Sequence, residues 1–232
     1  MKSGELKLFI GVLVVAVVLA GVAIYPSIVD SARRQSGPSV VGDPVKAKVT
    51  RKDLFPEGSW YKGDPHAPYL LVEFADYQCP LCASSVEQVK NILQKHKGKF
   101  CFVFHGIQIQ GGHANALLMA QAAEAAGAQG KFWEMHEKLF KNARLFNGVS
   151  EDDALQIIYE LARELKLDML KFGADMKDPK TAEGLDRSSK VAANADVRAT
   201  PTFFIVPPDG KTVRVGALRD LMNWVETPGN IK

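Results

Sequence analysis

The chain has 232 residues, 47% hydrophobic and 24% charged, which is enough apolar material for one or two packed domains and too much for a disordered protein. Three cysteines are too few for a disulfide scaffold, and a net charge of +3 carries no overall basic excess of the kind that binds nucleic acid. Setting aside Lys2, Lys7, Arg33, Arg34, Glu5 and Asp30, the remainder holds 25 basic against 24 acidic residues and is nearly neutral.

Leu8 to Ile24 reads LFIGVLVVAVVLAGVAI, without a charge. At 1.5 Å per residue, about 17 residues sit at the short end of what crosses a bilayer. Tyr25 follows as an interfacial aromatic and Pro26 ends the helix. Two readings compete: an uncleaved anchor, or a signal peptide cut after Ala20 or Ala23. The apolar run is longer than an ordinary signal core, so residues 1–25 read as an N-terminal transmembrane anchor. Either reading sends the rest of the chain out of the cytoplasm. Lys2 and Lys7 favour an inside N-terminus, while Arg33 and Arg34 pull the other way. Residues 26–58 are polar and rich in Pro and Gly, and read as a flexible linker.

Residues 59–232 read as one α/β domain. A short strand is expected near Ser59–Tyr61. The run from Tyr69 to Ala75 is nearly continuously apolar, as in a buried central strand. Val86, Val89, Ile92 and Leu93 then fall on one helical face, and Phe100 to Ile107 is a second strand. Strand, helix and strand in this order favour a parallel crossover. Helices are expected over His113–Ala128, Phe132–Phe140, from Ser150-Glu-Asp-Asp153 onward, and over Thr181–Ala195. Strands at Thr202–Val206 and Thr212–Val215 flank a Pro207-Pro-Asp-Gly210 turn, and an amphipathic helix through Leu218, Leu221, Met222 and Val225 closes the chain. The order βαβ, helices, ββα suggests one α/β domain with a helical insertion at about 108–197, which the family resemblance given below would make a thioredoxin-like fold.

The chemistry lies in Cys79-Pro80-Leu81-Cys82, at the junction of the first core strand and its helix. Cys79 would sit at the helix N-terminus, with Pro80 at the first helical position, where proline is tolerated. Free backbone N–H groups and the helix dipole there favour a thiolate. A lowered pKa makes Cys79 an attacking sulfur and a good leaving group. Cys82, one turn on, can close a disulfide and would act as the less exposed, resolving thiol.

Residues 63–105 and 197–216 resemble the DsbA family of thioredoxin-fold thiol–disulfide oxidoreductases, in its membrane-anchored branch. The likeness is carried by Gly63-Asp-Pro-His-Ala-Pro68, by Val72-Glu73-Phe74 followed by Cys79-x-x-Cys82, and by Ala199-Thr200-Pro201-Thr202-Phe203-Phe204. It implies a cis Pro201 facing the two sulfurs, with backbone at Thr200 offered to a substrate peptide. Thr200 is also the family's tuning position. The resemblance further implies that Glu73 is a buried acid beneath the disulfide, with a raised pKa, moving protons for Cys82. One departure stands out: strong oxidants of the family carry Pro-His between the cysteines. Leu81 offers no cation, so Cys79 should be less acidic and the disulfide less oxidising here.

Other residues carry blander expectations. A zinc site would need ligands beyond Cys79 and Cys82, from Cys101, His66, His96, His105 and His113, and no second paired motif exists. Cys101 reads as a buried core thiol, His105 as a strand-end histidine, and Phe100, Phe102 and Phe104 as sheet packing. Phe132, Trp133 and Phe140 read as the core of the helical insertion. The expected function is disulfide formation in exported proteins, with no bound cofactor and no metal. Its partners would be exported proteins with free thiols and a membrane redox partner resembling a quinone-linked DsbB. The expected location is the inner membrane, single-pass, with the domain facing the periplasm or cell exterior. The alternatives are a reductase or isomerase of the same fold fed by a membrane electron donor, and a peptide-binding holdase or assembly factor.

Overall fold

The computed structural model describes residues 41–44, 49–109 and 113–231. The stretch read as a membrane anchor lies outside these. Among the described residues no helix is long and apolar enough to cross a membrane.

Six strands form one mixed sheet: β1 (Val41–Pro44), β2 (Trp60–Lys62), β3 (Tyr69–Ala75), β4 (Phe100–Gly106), β5 (Thr202–Val206) and β6 (Val213–Val215). Their spatial order is β1-β6-β5-β3-β4-β2. Strand β3 is central. It runs parallel to β4, with Tyr69 opposite Phe100, and antiparallel to β5, with Leu70 opposite Val206. The parallel pair is joined by helix α2 (Pro80–Lys95), as the apolar run followed by an amphipathic stretch leads one to expect.

All seven residues of β3 are buried because the sheet is covered on both faces. Tyr69, Leu71 and Ala75 join Phe100, Phe102, Phe104, Phe203 and Ile205 in the larger core. There they pack under α2 and the insertion helices α3 (Ala116–Gly127), α4 (Phe132–Lys141) and α5 (Glu151–Glu164). Leu70, Val72 and Phe74 join Cys101, Val103, Phe204 and Val206 in a second core. That face is closed by α1 (Arg51–Leu54) and by Val191 and Ala192 of α7 (Pro179–Asn194). The alternating phenylalanines of β4 are therefore sheet packing, and Cys101, fully buried, is a core thiol on the opposite face from Glu73. Helix α8 (Leu218–Glu226) returns Leu221 and Val225 to the larger core.

The boundary at residue 59 needs correction. Strand β1 pairs with β6, and α1 packs on the sheet, both within the stretch read as linker. Helix α1 is short and polar except for Leu54, so no periodicity announces it. It is held by a capping box in which Thr50 and Asp53 exchange side-chain and backbone hydrogen bonds. Leu54 is fully buried, which is worth about 1.5–3 kcal/mol. His105 fixes the same turn: its Nε2 lies 3.0 Å from the Leu54 carbonyl and its Nδ1 3.3 Å from Ser188 Oγ, as befits a core histidine. Burial holds its pKa down, to about 4.

Two further elements went unread. A 3₁₀ turn at Ala143–Phe146 and helix α6 (Met169–Asp175) are too short for a repeating apolar stripe. The close approach of α3 to β2 rests on Gly127, where a Cβ would stand 2.3 Å from the Trp60 ring. That ring in turn stacks on Phe132 at 4.3 Å.

Candidate active site

The site is built where β3 runs out. Asp76 closes the strand: its Oδ1 accepts from Gln78 N at 2.8 Å and its carbonyl accepts from Cys79 N at 3.0 Å. The buried Asp76 carboxylate also meets His113 Nδ1 at 2.9 Å. Gln78 ties the turn to the helical insertion. It donates from Nε2 to the Phe146 carbonyl at 3.0 Å and accepts from Asn115 N at 2.6 Å. Asn115 donates in turn to the carbonyls of Phe146 and Val149. This turn aims Cys79 as the N-cap of α2, with extended backbone and Pro80 opening the helix.

Cys79 and Cys82 stand as thiols, the first 7% exposed and the second sealed. The Cys79 pKa is held down to about 5. The leading cause is the Cys82 thiol, which donates to the Cys79 sulfur; backbone N–H groups of Cys82 and Leu81 and the Thr200 side chain add to it against the opposing cost of burial. Burial, together with that donation, pushes Cys82 far above an ordinary thiol. Cys79 is thus the more exposed and the more acidic of the two sulfurs.

Across the site, the Thr200–Pro201 peptide bond is cis, and Cys79 Sγ lies 3.6 Å from the Thr200 carbonyl oxygen. Thr200 meets the sulfur twice: the carbonyl accepts from the thiol, while the hydroxyl stabilises the thiolate. Thr200→Val keeps the first contact and removes the second. The midpoint for iodoacetamide alkylation of Cys79 should rise from about 5 by about one pH unit, the worth of one hydrogen bond to a charge. An unmoved midpoint would show that the hydroxyl does not touch the thiolate.

Glu73 lies in the sheet beneath the sulfurs, 2% exposed, in register with Phe104 on one side and Phe203 on the other. Burial raises its pKa to about 8, Ser85 pulls against that, and the Cys79 charge adds to it. Ser85 was not foreseen. It stands one turn beyond Cys82 on the same face of α2, a spacing that could have revealed it. Its Oγ donates to Glu73 Oε1 and is 2.6 Å from the Cys82 carbonyl oxygen. A hydroxyl has one proton to give, and the carbonyl can only accept. With Glu73 protonated, the carboxyl donates to Ser85 and Ser85 to the carbonyl; with Glu73 ionised, the Ser85 proton turns to the carboxylate.

Leu81, between the two cysteines, is 65% exposed. Leu117 and Leu145, also exposed, follow and precede the Asn115 and Phe146 groups that hold Gln78.

The thioredoxin family profile matches residues 56–219. The chain belongs to the thioredoxin family. Within that family its fold is DsbA-like. A thioredoxin-like oxidoreductase from Silicibacter pomeroyi aligns at a TM-score of 0.59 and 25% identity, covering 75% of this chain and 94% of that one. BdbD from Bacillus subtilis aligns at 0.59 and 22% identity, covering 79% and 97%. In sequence, the Na(+)/H(+) antiporter NhaA 1 of Mycobacterium sp. (strain KMS) is 30% identical over 165 residues, 70% of this chain. The chain spans about a quarter of the length of such curated relatives, 26% in this case. In this thioredoxin-family fold Cys79 and Cys82 stand at the N-terminus of α2, with the cis Pro201 across from them.

Proposed function

We propose that this thioredoxin-family protein forms disulfides in exported polypeptides outside the cytoplasm. The observation that carries the direction is the stabilised Cys79 thiolate. At pH 7 a thiol with a pKa of about 5 is almost wholly ionised, and relative to an ordinary cysteine this favours the reduced protein by about 3 kcal/mol. For a two-electron couple that is about 60 mV toward the oxidising side. A disulfide whose reduced form is stabilised gives its oxidising equivalents away.

In the reaction, a substrate thiolate attacks Cys79 Sγ of the disulfide. The bond to Cys82 breaks and its electron pair stays on the Cys82 sulfur. That strongly basic sulfur takes the proton held by Glu73, about 8 in pKa and therefore protonated at neutral pH. A second substrate thiolate attacks the substrate's own sulfur in the mixed disulfide, and Cys79 leaves as a stable thiolate. Cys79 and Cys82 are then reoxidised by a membrane partner resembling a quinone-linked DsbB. Thr200 offers its carbonyl beside the reacting sulfur, where an extended client segment would pair. The charge-free run at Leu8–Ile24 supports placing the domain on the outer side of the inner membrane. Antiport is not carried over, because the shared 165 residues are about the length of the thioredoxin match at 56–219.

The test is the redox equilibrium against glutathione. The Cys79 pKa of about 5 falls between about 3.5 for DsbA and about 7 for thioredoxin. The potential should then fall between about −120 and −270 mV, and Leu81→His should raise it. Thiol trapping in cells should find the pair mainly oxidised. A pair found mainly reduced would favour a reductase or isomerase, and unimpaired function of Cys79→Ser would favour a holdase.

A further inference from the structure

A cavity of about 480 Å³ opens between α2, α4 and the edge of the sheet. Its walls are Phe100, Phe102, Trp133, Val89 and Leu93, and its polar lining includes Glu73 and His136. Both are more than nine-tenths buried, at 2% and 4% exposure. Glu73 uses only Oε1, on Ser85, and His136 uses only Nδ1, 3.3 Å from the Tyr77 hydroxyl. Glu73 Oε2 and His136 Nε2 therefore have no partner among the described residues. Burial keeps both groups uncharged at neutral pH, the acid at about 8 and the imidazole at about 3. Apolar cavities of this size with a few convergent polar groups are where small molecules bind.

We propose that this cavity binds a small uncharged aromatic molecule carrying a hydroxyl or carbonyl oxygen, of the phenol class, and that its occupancy restrains the redox site through Glu73. The aromatic walls suit a single ring, and an uncharged carboxyl–imidazole pair suits an oxygen that both donates and accepts. The charged side chains of the lining, Lys62, Asp64, Lys90, Lys97 and Glu137, are half-exposed or exposed, whereas the buried polar pair is uncharged and so suits an uncharged group. The regulatory half rests on the reading of Glu73 as the proton donor to Cys82; the binding half does not. An occupant whose oxygen draws the carboxyl's proton from Oε1 round to Oε2 turns it away from Ser85 and so withholds it from Cys82.

The probe is p-cresol, titrated into the full chain and followed by methyl NMR of Val86, Val89 and Leu93. For about eight non-hydrogen atoms, a Kd of about 1 mM or below is expected. Leu93→Phe, which narrows the cavity away from the cysteines, should weaken binding at least about tenfold, and Glu73→Leu likewise. Glu73→Gln, which keeps a donor, should bind within about threefold of the parent. Saturating cresol should slow dithiol oxidation by the parent and leave Leu93→Phe untouched. No saturable shifts at 10 mM, or shifts unchanged by both Leu93→Phe and Glu73→Leu, overturn the site. Saturable binding without slowed oxidation overturns the regulatory half and keeps the site. An inactive parent that still binds cresol refutes the function proposed above instead.

Discussion

Cys82→Ala accumulates a mixed disulfide, formed when the Cys79 thiolate attacks a client's existing disulfide and displaces one of its sulfurs as a thiolate, while dithiol oxidation, which needs the Cys79–Cys82 disulfide as electron acceptor, falls by at least about a thousandfold. The size follows from proximity: a thiol one helical turn away competes at an effective concentration no free thiol reaches. The variant has a second consequence. The Cys82 thiol is the leading cause of the low Cys79 pKa, so its removal should move the alkylation midpoint up from about 5 toward that of an ordinary cysteine. The adducts should be long-lived because no resolving thiol remains and because Cys79 has become a poorer leaving group. Non-reducing gels with mass spectrometry of the captured peptide read the adduct directly. Adducts on Cys101, or none at all, would sink the assignment of Cys79 as the reacting sulfur. Cys101 should stay silent, since it is fully buried and burial raises its pKa to about 11.

Glu73→Gln should stabilise the protein and slow it. A buried acid whose folded pKa of about 8 exceeds its unfolded value favours folding fully only below about pH 4.3. As pH rises from there toward 8, the folded state must either keep a proton the unfolded chain gives up or bear a buried charge. The deficit at pH 7 is on the order of 2–4 kcal/mol before relaxation. Gln removes the titration, so the oxidised variant should exceed the parent by about 1–3 kcal/mol at pH 7, with no advantage at pH 4. Using the oxidised form keeps Cys79 from titrating in the same range. Urea unfolding at the two pH values measures this. In the same variant, release of Cys82 loses its proton source, and turnover should fall about ten- to a hundredfold. A variant as fast as the parent would reduce Glu73 to a packing residue, and one no more stable at pH 7 would show that its carboxyl is not held protonated.

The sequence alone was sufficient for the elements whose signals are local. The apolar run of β3, the stripe of α2 and the Pro80 start of that helix place Cys79 at an open helix end, because strand, cap and proline preferences act over a few residues. The Ser150 cap and the phenylalanine alternation of β4 were legible for the same reason. The pairing of Glu73 and Pro201 with the cysteines came from likeness to a family, not from spacing. What only the tertiary structure decided is what arrives from afar. Thr200 reaches Cys79 across 121 positions, Gln78 is held by Asn115 and Phe146 of the insertion, and α1 and β1 fold onto the sheet from a stretch that reads as linker. Ser85 binding Glu73, and the cavity behind them, depend on how α2 lies over β3. Such contacts leave no periodic trace, since a hydrogen bond or a buried leucine can be supplied by any segment the sheet order brings near.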